Sequence, residues 1–195
     1  KAIIFGIKGY DLTKKEKKFL KKYKPWGVIL FSRNISNLSQ LKTLINDIKN
    51  SLKDKKYPIL IDQEGGKVSR LNKIFNLSLF SQDFLGQLYH IDKKLFFSFY
   101  KIYVNKVCSI FNDVGININT VPVLDVRNKN SHDIIGNRAF SENPKIVSRL
   151  GKICINLFKK NKIATVVKHI PGYGRANCDS HFKTPIIKSK KSELI

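Results

Sequence analysis

The chain has 195 residues, 42% of them hydrophobic and 11% aromatic, which is typical of a globular domain with a core and excludes a disordered segment. Its net charge of +23 invites a nucleic-acid partner. However, only six of the 37 basic residues are arginines, the lysines are scattered over predicted helix surfaces, and no aromatic–basic motif of an RNA- or DNA-binding module is present. We therefore expect no nucleic-acid partner.

The cysteines and the apolar runs indicate in which cellular compartment the protein is expected. Three cysteines, an odd number at wide spacing, form neither a zinc signature nor a disulfide framework, and they favour a reducing compartment. No apolar run approaches the roughly 20 residues that span a bilayer. The chain opens on the strand-like run KAIIFGI, which no small-residue cleavage site follows. We therefore expect a cytoplasmic protein without a membrane partner.

Five short apolar runs predict β-strands, at residues 2–7, 26–31, 57–61, 116–121 and 164–167. The first three runs contain no charged or amide side chain, and we interpret the strands as apolar on both faces. This pattern is typical of a parallel sheet whose strands are buried on both faces. Polar clusters directly follow the second, third, fourth and fifth runs, so the sequence predicts polar side chains along the carboxyl edge of the sheet.

The segments between the predicted strands carry helix signals. A capping-box pattern from Thr13 to Glu16 begins the first helix. Apolar residues at helical spacing follow Asn37. A longer helix is predicted at about residues 92–113, after an irregular stretch, and Pro144 is placed as in the first turn of another helix.

This alternation predicts an α/β fold with a parallel sheet covered by helices. Two architectures fit, an open doubly wound sheet and a (β/α)₈ barrel. The first strand is not followed by G-x-G-x-x-G, which weakens the dinucleotide-binding version of the open sheet. Polar clusters at strand carboxyl ends favour the catalytic face of a barrel, which needs eight units and usually ~250 residues. We therefore predict a TIM (β/α)₈ barrel truncated after about five units, with residues 1–195 as the N-terminal part of one catalytic barrel.

The densest polar cluster is the loop after the fifth predicted strand, KHIPGYGRANCDSH. Lys168 and His169 begin this loop, and Asp179 and His181 lie near its end with one residue between them. In a loop, two side chains at this spacing can pair. Because a carboxylate favours the protonated imidazole near neutral pH, Asp179 and His181 are candidates for a proton-transferring pair.

Two earlier clusters also follow predicted strands. The stretch DQEGGKVSR places Asp62 at a strand end and Arg70 eight residues later, and the stretches PVLDV and IGNRAF include Arg138. In a chain where lysine is the usual cation, an arginine indicates a need for its planar fork. Glu64 lies in the tight turn of the first cluster, and we expect it to be structural.

Together, these three clusters resemble family 3 glycoside hydrolases, in the bacterial β-N-acetylhexosaminidase branch that trims peptidoglycan fragments during cell-wall recycling. The similarity runs over the whole chain in the same order. It implies that His181 is the general acid/base, oriented by Asp179, of a retaining mechanism. It also implies that the hydroxyls of the terminal sugar are held by Asp62, Arg70, Arg138, Lys168 and His169.

The resemblance further implies release of terminal N-acetylglucosamine from peptidoglycan-derived muropeptides, without a metal or cofactor, by a protein that is a monomer at full length. The family nucleophile is an aspartate on a later strand, and no aspartate of this chain matches it. We therefore expect the 195-residue chain to be inactive alone. Three alternatives stay open: a family 3 β-glucosidase, a phosphorylase whose neutral histidine tolerates phosphate, and a non-catalytic degenerate barrel.

Overall fold

The computed structural model describes residues 2–128, 133–170, 172–176, 178–179 and 182–186. The strands are β1 (Ile4–Gly6), β2 (Gly27–Leu30), β3 (Ile59–Ile61), β4 (Ile118–Asn119) and β5 (Ala164–Thr165). The α-helices are α1 (Lys14–Tyr23), α2 (Leu38–Leu52), α3 (Gln82–Ile91), α4 (Lys93–Val114) and α5 (Pro144–Lys160). Within these ranges, none of the helices combines the length and apolar character that a membrane crossing requires.

The strands form one parallel sheet whose order in space follows the order in the chain, β1-β2-β3-β4-β5. In register, Val28 lies opposite Phe5 on one side and Ile59 on the other. A doubly wound sheet reverses its strand order at a switch point, and the five described strands show no reversal. The predicted α/β class and the barrel-type order are confirmed, as an open sheet with β1 and β5 at its edges.

Burial differs between the middle and the edges of this sheet. Val28 in β2 and Ile59 in β3 are fully buried, as the uniformly apolar runs predict. In contrast, Phe5 in β1 and Ala164 in β5 are exposed, so the expectation of burial on both faces is wrong for these strands. The physical reason is their position, because an edge strand of the described sheet has a neighbour on one side only.

The predicted helix starts are confirmed by their caps. The Thr13 hydroxyl accepts a hydrogen bond from the Glu16 N–H (3.2 Å), and the Glu16 carboxylate accepts one from the Thr13 N–H (2.9 Å). The Asn143 side chain accepts from the Lys145 N–H (2.9 Å), and Pro144 occupies the first turn of α5. These bonds satisfy N–H groups that the helix itself leaves without partners.

Helix α3 lies in the stretch that the sequence predicts to be irregular. The Ser81 hydroxyl caps it by accepting from the Phe84 N–H (3.1 Å), and the ring of Phe84 packs against Phe99 of α4 with centroids 5.8 Å apart. Gly86 in the middle of α3 weakens the local helix signal by roughly 1 kcal/mol. A Cβ at Gly86 would collide with the carbonyl oxygen of Phe140. Close tertiary packing therefore decides this segment.

The three cysteines should differ in their reactivity toward thiol reagents. Burial raises the pKa of Cys108 in α4 and of Cys154 in α5 to about 12 each, whereas Cys178 is partly exposed. At pH 8, the thiolate fraction of a group with such a pKa is on the order of one in ten thousand, and the thiolate is the reactive form. We expect iodoacetamide to alkylate Cys178 far faster than the other two, as measured by peptide mass spectrometry of the native protein.

Denaturation supplies the control for this labelling. In urea, the three thiols should react at similar rates, because burial no longer distinguishes them. Rapid labelling of Cys108 or Cys154 in the native protein would contradict the packing of α4 against α5.

Candidate active site

A cleft of about 650 Å³ opens at the carboxyl ends of the strands. Phe31 follows β2, Asp62 and Glu64 follow β3, and Lys168 and His169 follow β5. The carboxyl ends of barrel strands are where active sites of this architecture lie. The loops add Lys67, Arg70, Asp133, Arg138, Tyr173 and Asp179.

The structure brings nearly all of the predicted site residues together. Those that line the cleft are Asp62, Arg70, Arg138, Lys168, His169 and Asp179. His181 lies outside the described residues. The proximity of these side chains is a structural finding, whereas the role of each stays a prediction.

Asp62 is held by three side chains. Its Oδ1 atom accepts from the Thr120 hydroxyl and lies 3.2 Å from Lys168 Nζ, and its Oδ2 atom lies 3.4 Å from Arg70 Nη2. Arg70 is itself placed over the ring of Phe31, 5.6 Å from the centroid. Burial raises the pKa of Asp62, but Lys168, the Thr120 hydroxyl and Arg70 outweigh burial and hold this pKa below its ordinary value. Asp62 is therefore ionised at neutral pH and only accepts hydrogen bonds.

Glu64 is the deepest carboxylate of the cleft, with its side chain 1% exposed. It receives two parallel bonds from Arg138, Nε to Oε2 at 2.8 Å and Nη2 to Oε1 at 2.9 Å, and Lys168 Nζ lies 2.6 Å from Oε1. Burial lowers the pKa of Arg138, but its bonds to Glu64 outweigh burial and raise this pKa above its ordinary value. Glu64 is thus the counter-ion of two cleft cations.

The ion pairs of its side chain add to the expectation that Glu64 is structural. The residue does occupy the tight turn, where its backbone N–H donates to the Val68 carbonyl (2.9 Å). The turn signal in the sequence describes the backbone, however, and contains no information about the direction of the side chain. The signal that was available is the position of Glu64 two residues after Asp62, at the same strand end.

His169 forms a pair that sequence reasoning did not single out. Its Nδ1 atom lies 2.6 Å from Oδ2 of Asp125, whose side chain is 0% exposed, and its Nε2 atom lies 3.4 Å from Nη2 of Arg138. The other oxygen of Asp125 accepts from the backbone N–H of Tyr173. Asp125 belongs to the polar cluster after the fourth strand, and this placement at the carboxyl edge is the signal that could have identified it.

Asp179 lies on the loop that follows β5, and hydrogen bonds within the loop stabilise its backbone. The Tyr173 hydroxyl donates to the carbonyl of Cys178, the residue before Asp179, at 2.8 Å. The Asp179 carbonyl in turn accepts from the backbone N–H of Lys183 at 2.9 Å. These bonds hold the backbone around Asp179 at the edge of the cleft.

The described lining of the cleft is electrically balanced. Its carboxylates are Asp62, Glu64, Asp133 and Asp179, and its cations are Lys67, Arg70, Arg138 and Lys168. The formal charges of these eight side chains sum to zero. Within the described part of the chain, no three His, Cys, Asp or Glu side chains gather closely enough to hold a metal ion. The cleft therefore offers many fixed donors and acceptors without a net charge.

Comparison with known proteins gives relatives over the whole chain. The family profile described as "Glycosyl hydrolase family 3 N terminal domain" matches residues 5–195. The chain is 34% identical over 184 residues to a beta-hexosaminidase of Neisseria gonorrhoeae, covering 94% of this chain and 50% of the relative. It is 31% identical over 183 residues to beta-hexosaminidase A of Pseudoalteromonas piscicida, covering 90% of this chain and 29% of the relative. The chain thus spans about half of the first relative and less of the second.

Two solved structures resemble this fold. The crystal structure of NagZ from Neisseria gonorrhoeae in complex with N-trifluoroacetyl-D-glucosamine has a TM-score of 0.81 and 31% identity, covering 98% of this chain and 56% of that chain. A glycoside hydrolase family 3 beta-N-acetylglucosaminidase from Paenibacillus sp. has a TM-score of 0.85 and 27% identity, covering 98% of this chain and 36% of that chain. Because the family profile covers almost every residue, the chain belongs to glycosyl hydrolase family 3.

Proposed function

We propose that the protein containing this chain is a retaining β-N-acetylhexosaminidase that releases terminal N-acetylglucosamine from the non-reducing end of its substrate. The observation that carries the proposal is the balanced cleft at the strand carboxyl ends of a family 3 chain. The names of the relatives support it, since two are called beta-hexosaminidases and the NagZ structure is a complex with N-trifluoroacetyl-D-glucosamine.

The pairing of charges inside the cleft suits an uncharged sugar. Each sugar hydroxyl can donate one hydrogen bond and accept others, so it needs fixed partners of both kinds. Asp62 is an acceptor, Lys168 is a donor, and their mutual contact fixes both. Arg70 adds donors, since its Nε is buried and has no hydrogen-bond partner among the described residues. A phosphate would be attracted by a cation without a carboxylate partner. The lysines and arginines of the described lining each pair with a carboxylate.

In this proposal, proton transfer belongs to the loop after β5. His181 protonates the departing glycosidic oxygen, and Asp179 stabilises the protonated ring. Three carboxylates near the cleft are poorly suited to be the nucleophile, because Asp62 and Glu64 are ion-paired and the side chain of Asp125 is fully buried. By its resemblance to the family, the protein would use a nucleophilic aspartate on a later strand, which no aspartate of this chain matches, and we propose that residues 1–195 form the N-terminal part of the catalytic barrel.

The finer proposal concerns the natural substrate. We assign peptidoglycan-derived muropeptides as the substrate, the cytoplasm as the location and a monomer as the full-length state. The support is the resemblance of the stretches DQEGGKVSR, PVLDV with IGNRAF, and KHIPGYG with DSH to the cell-wall-recycling branch of the family.

An assay of the full natural polypeptide tests the proposed activity. We expect hydrolysis of 4-nitrophenyl N-acetyl-β-glucosaminide, a much slower reaction with 4-nitrophenyl β-glucoside, and no stimulation by phosphate. Equal rates on the two sugars would remove the proposed substrate. Formation of a sugar 1-phosphate in the presence of phosphate would identify a phosphorylase instead, and an inert protein would leave the degenerate barrel as the better account.

A further inference from the structure

We propose that Asp125 is a positioning residue that selects the tautomer of His169 and ties the loop carrying Asp179 to the sugar-binding cleft. One buried carboxylate performs both tasks, because each of its oxygens takes a different donor. The effect on catalysis rests on the proposed function, whereas the effect on His169 does not.

The first step concerns the proton on His169. An ionised carboxylate only accepts hydrogen bonds, so the 2.6 Å contact between Asp125 Oδ2 and His169 Nδ1 places the proton on Nδ1. The side chain of Asp125 is 0% exposed, so water does not compete for this bond. The other nitrogen of the neutral ring, Nε2, is left as an acceptor.

The second step concerns the partner on the far side of the ring. Arg138 Nη2 lies 3.4 Å from His169 Nε2, and a guanidinium only donates. The opposite tautomer would direct Nε2–H against an N–H of Arg138 and a lone pair of Nδ1 against Asp125. Both contacts would then be repulsive. Two neighbours, one on each side, therefore select the same tautomer of a ring whose side chain stays 35% exposed.

The third step concerns the loop. The second oxygen of Asp125 accepts from the backbone N–H of Tyr173, six residues before Asp179. At the next position, Gly174 approaches the chain so closely that a Cβ would collide with the carbonyl oxygen of Val126. The base of the loop is thus fixed against the segment that carries Asp125. A change in this carboxylate is expected to disturb both the imidazole and the position of Asp179.

Asp125→Asn is the informative substitution, because it keeps the shape and removes one acceptor. An amide has one accepting oxygen, whereas the site holds two donors, the Tyr173 N–H and the His169 Nδ1–H. If the oxygen serves Tyr173, the amide N–H₂ group faces Nδ1 and requires the opposite tautomer of His169. We expect kcat/KM to fall on the order of 100-fold, the loss that a misplacement of about 1 Å can cause.

The decisive measurement is ¹⁵N NMR of the histidine rings at pH 8 in the full natural polypeptide, with the His169 signal assigned by its loss in His169→Ala. We expect a neutral Nδ1–H ring in the wild type and a shift toward Nε2–H in Asp125→Asn. An Nε2–H or doubly protonated ring in the wild type would overturn the proposal, and this outcome does not depend on the folding of Asp125→Asn. The amide oxygen of a folded Asp125→Asn can satisfy only one of the two donors, so unchanged signals of both the His169 ring and the Tyr173 backbone N–H would overturn it as well.

Two further comparisons separate positioning from general damage and from failure of the proposed function. Asp113→Asn, at an exposed carboxylate paired with Lys42 on the helical surface, should change neither the ring signals nor turnover. In a double-mutant cycle, Asp125→Asn should cost less in the His169→Ala background than in the wild type, and additive losses would contradict the coupling. A wild type with the expected tautomer and no glycosidase activity would overturn the proposed function alone.

Discussion

Replacing His181 by alanine in the full natural polypeptide is expected to lower kcat by about 100- to 10,000-fold, the usual contribution of general acid–base catalysis. The KM for the sugar should change little, because the hydroxyls are assigned to other side chains of the cleft. His181 itself lies outside the described residues. Asp179, the proposed partner of His181, lines the cleft.

Leaving groups of different basicity give the sharpest form of this experiment. An alkyl or phenyl leaving group needs a proton to depart, whereas 2,4-dinitrophenolate departs without one. The loss in His181→Ala should therefore be large for the phenyl glycoside and much smaller for the dinitrophenyl glycoside. His90→Ala, at an exposed position in the last turn of α3, is the matched control and should leave turnover unchanged. Unchanged turnover of the phenyl glycoside by His181→Ala would contradict the assignment.

Much of the site was predictable because strand ends are visible in the sequence. An apolar run followed at once by a polar cluster indicates where a strand stops, and the carboxyl ends of parallel strands share one edge. Asp62 and Lys168 are 106 positions apart in the chain, yet both follow such runs, and the structure places them 3.2 Å apart. The sequence reasoning identified the edge and therefore the neighbourhood.

The pairing inside that neighbourhood was not predictable in the same way. Glu64 contacts Arg138, 74 positions away, and Asp125 contacts His169, 44 positions away. Which carboxylate meets which cation depends on side-chain directions in loops, and periodicity describes only strands and helices. A single sequence without relatives offers no other source for these pairs, so they emerged only from the three-dimensional arrangement.

The missed helix α3 has a related cause. Gly86 is unfavourable in a helix by roughly 1 kcal/mol, so the local preference of this segment is weak. Tertiary contacts compensate, since the missing side chain allows the backbone of Phe140 to pack directly on the helix. Helix α3 also contacts the segment that contains Arg138. Gln82, at the start of the helix, donates a hydrogen bond to the Arg138 carbonyl (2.5 Å). The element that sequence reasoning missed therefore supports the site.

Glu64→Gln is expected to destabilise the protein by about 3–5 kcal/mol, the cost of breaking a buried ion pair by removing one partner. The glutamine keeps the shape and one accepting oxygen, but it leaves Arg138 without its ion-pair partner and Lys168 with Asp62 alone, in a poorly solvated position. Their side chains are only 13% and 15% exposed. Urea denaturation of the full natural polypeptide, followed by circular dichroism, measures the loss.

Asp133→Asn is the matched control for this prediction. Asp133 also pairs with a cation of the cleft, with 2.7 Å between its Oδ2 atom and Lys67 Nζ, but its side chain is 82% exposed. Water already compensates such a pair, so its loss should cost less than about 1 kcal/mol. Adding Arg138→Gln to Glu64→Gln should recover part of the stability, because it removes the cation that has lost its carboxylate partner. Equal losses for Glu64→Gln and Asp133→Asn would show that burial does not govern the energy of these ion pairs. A Glu64→Gln/Arg138→Gln double variant that is less stable than Glu64→Gln would show that Arg138 stabilises the fold without its carboxylate.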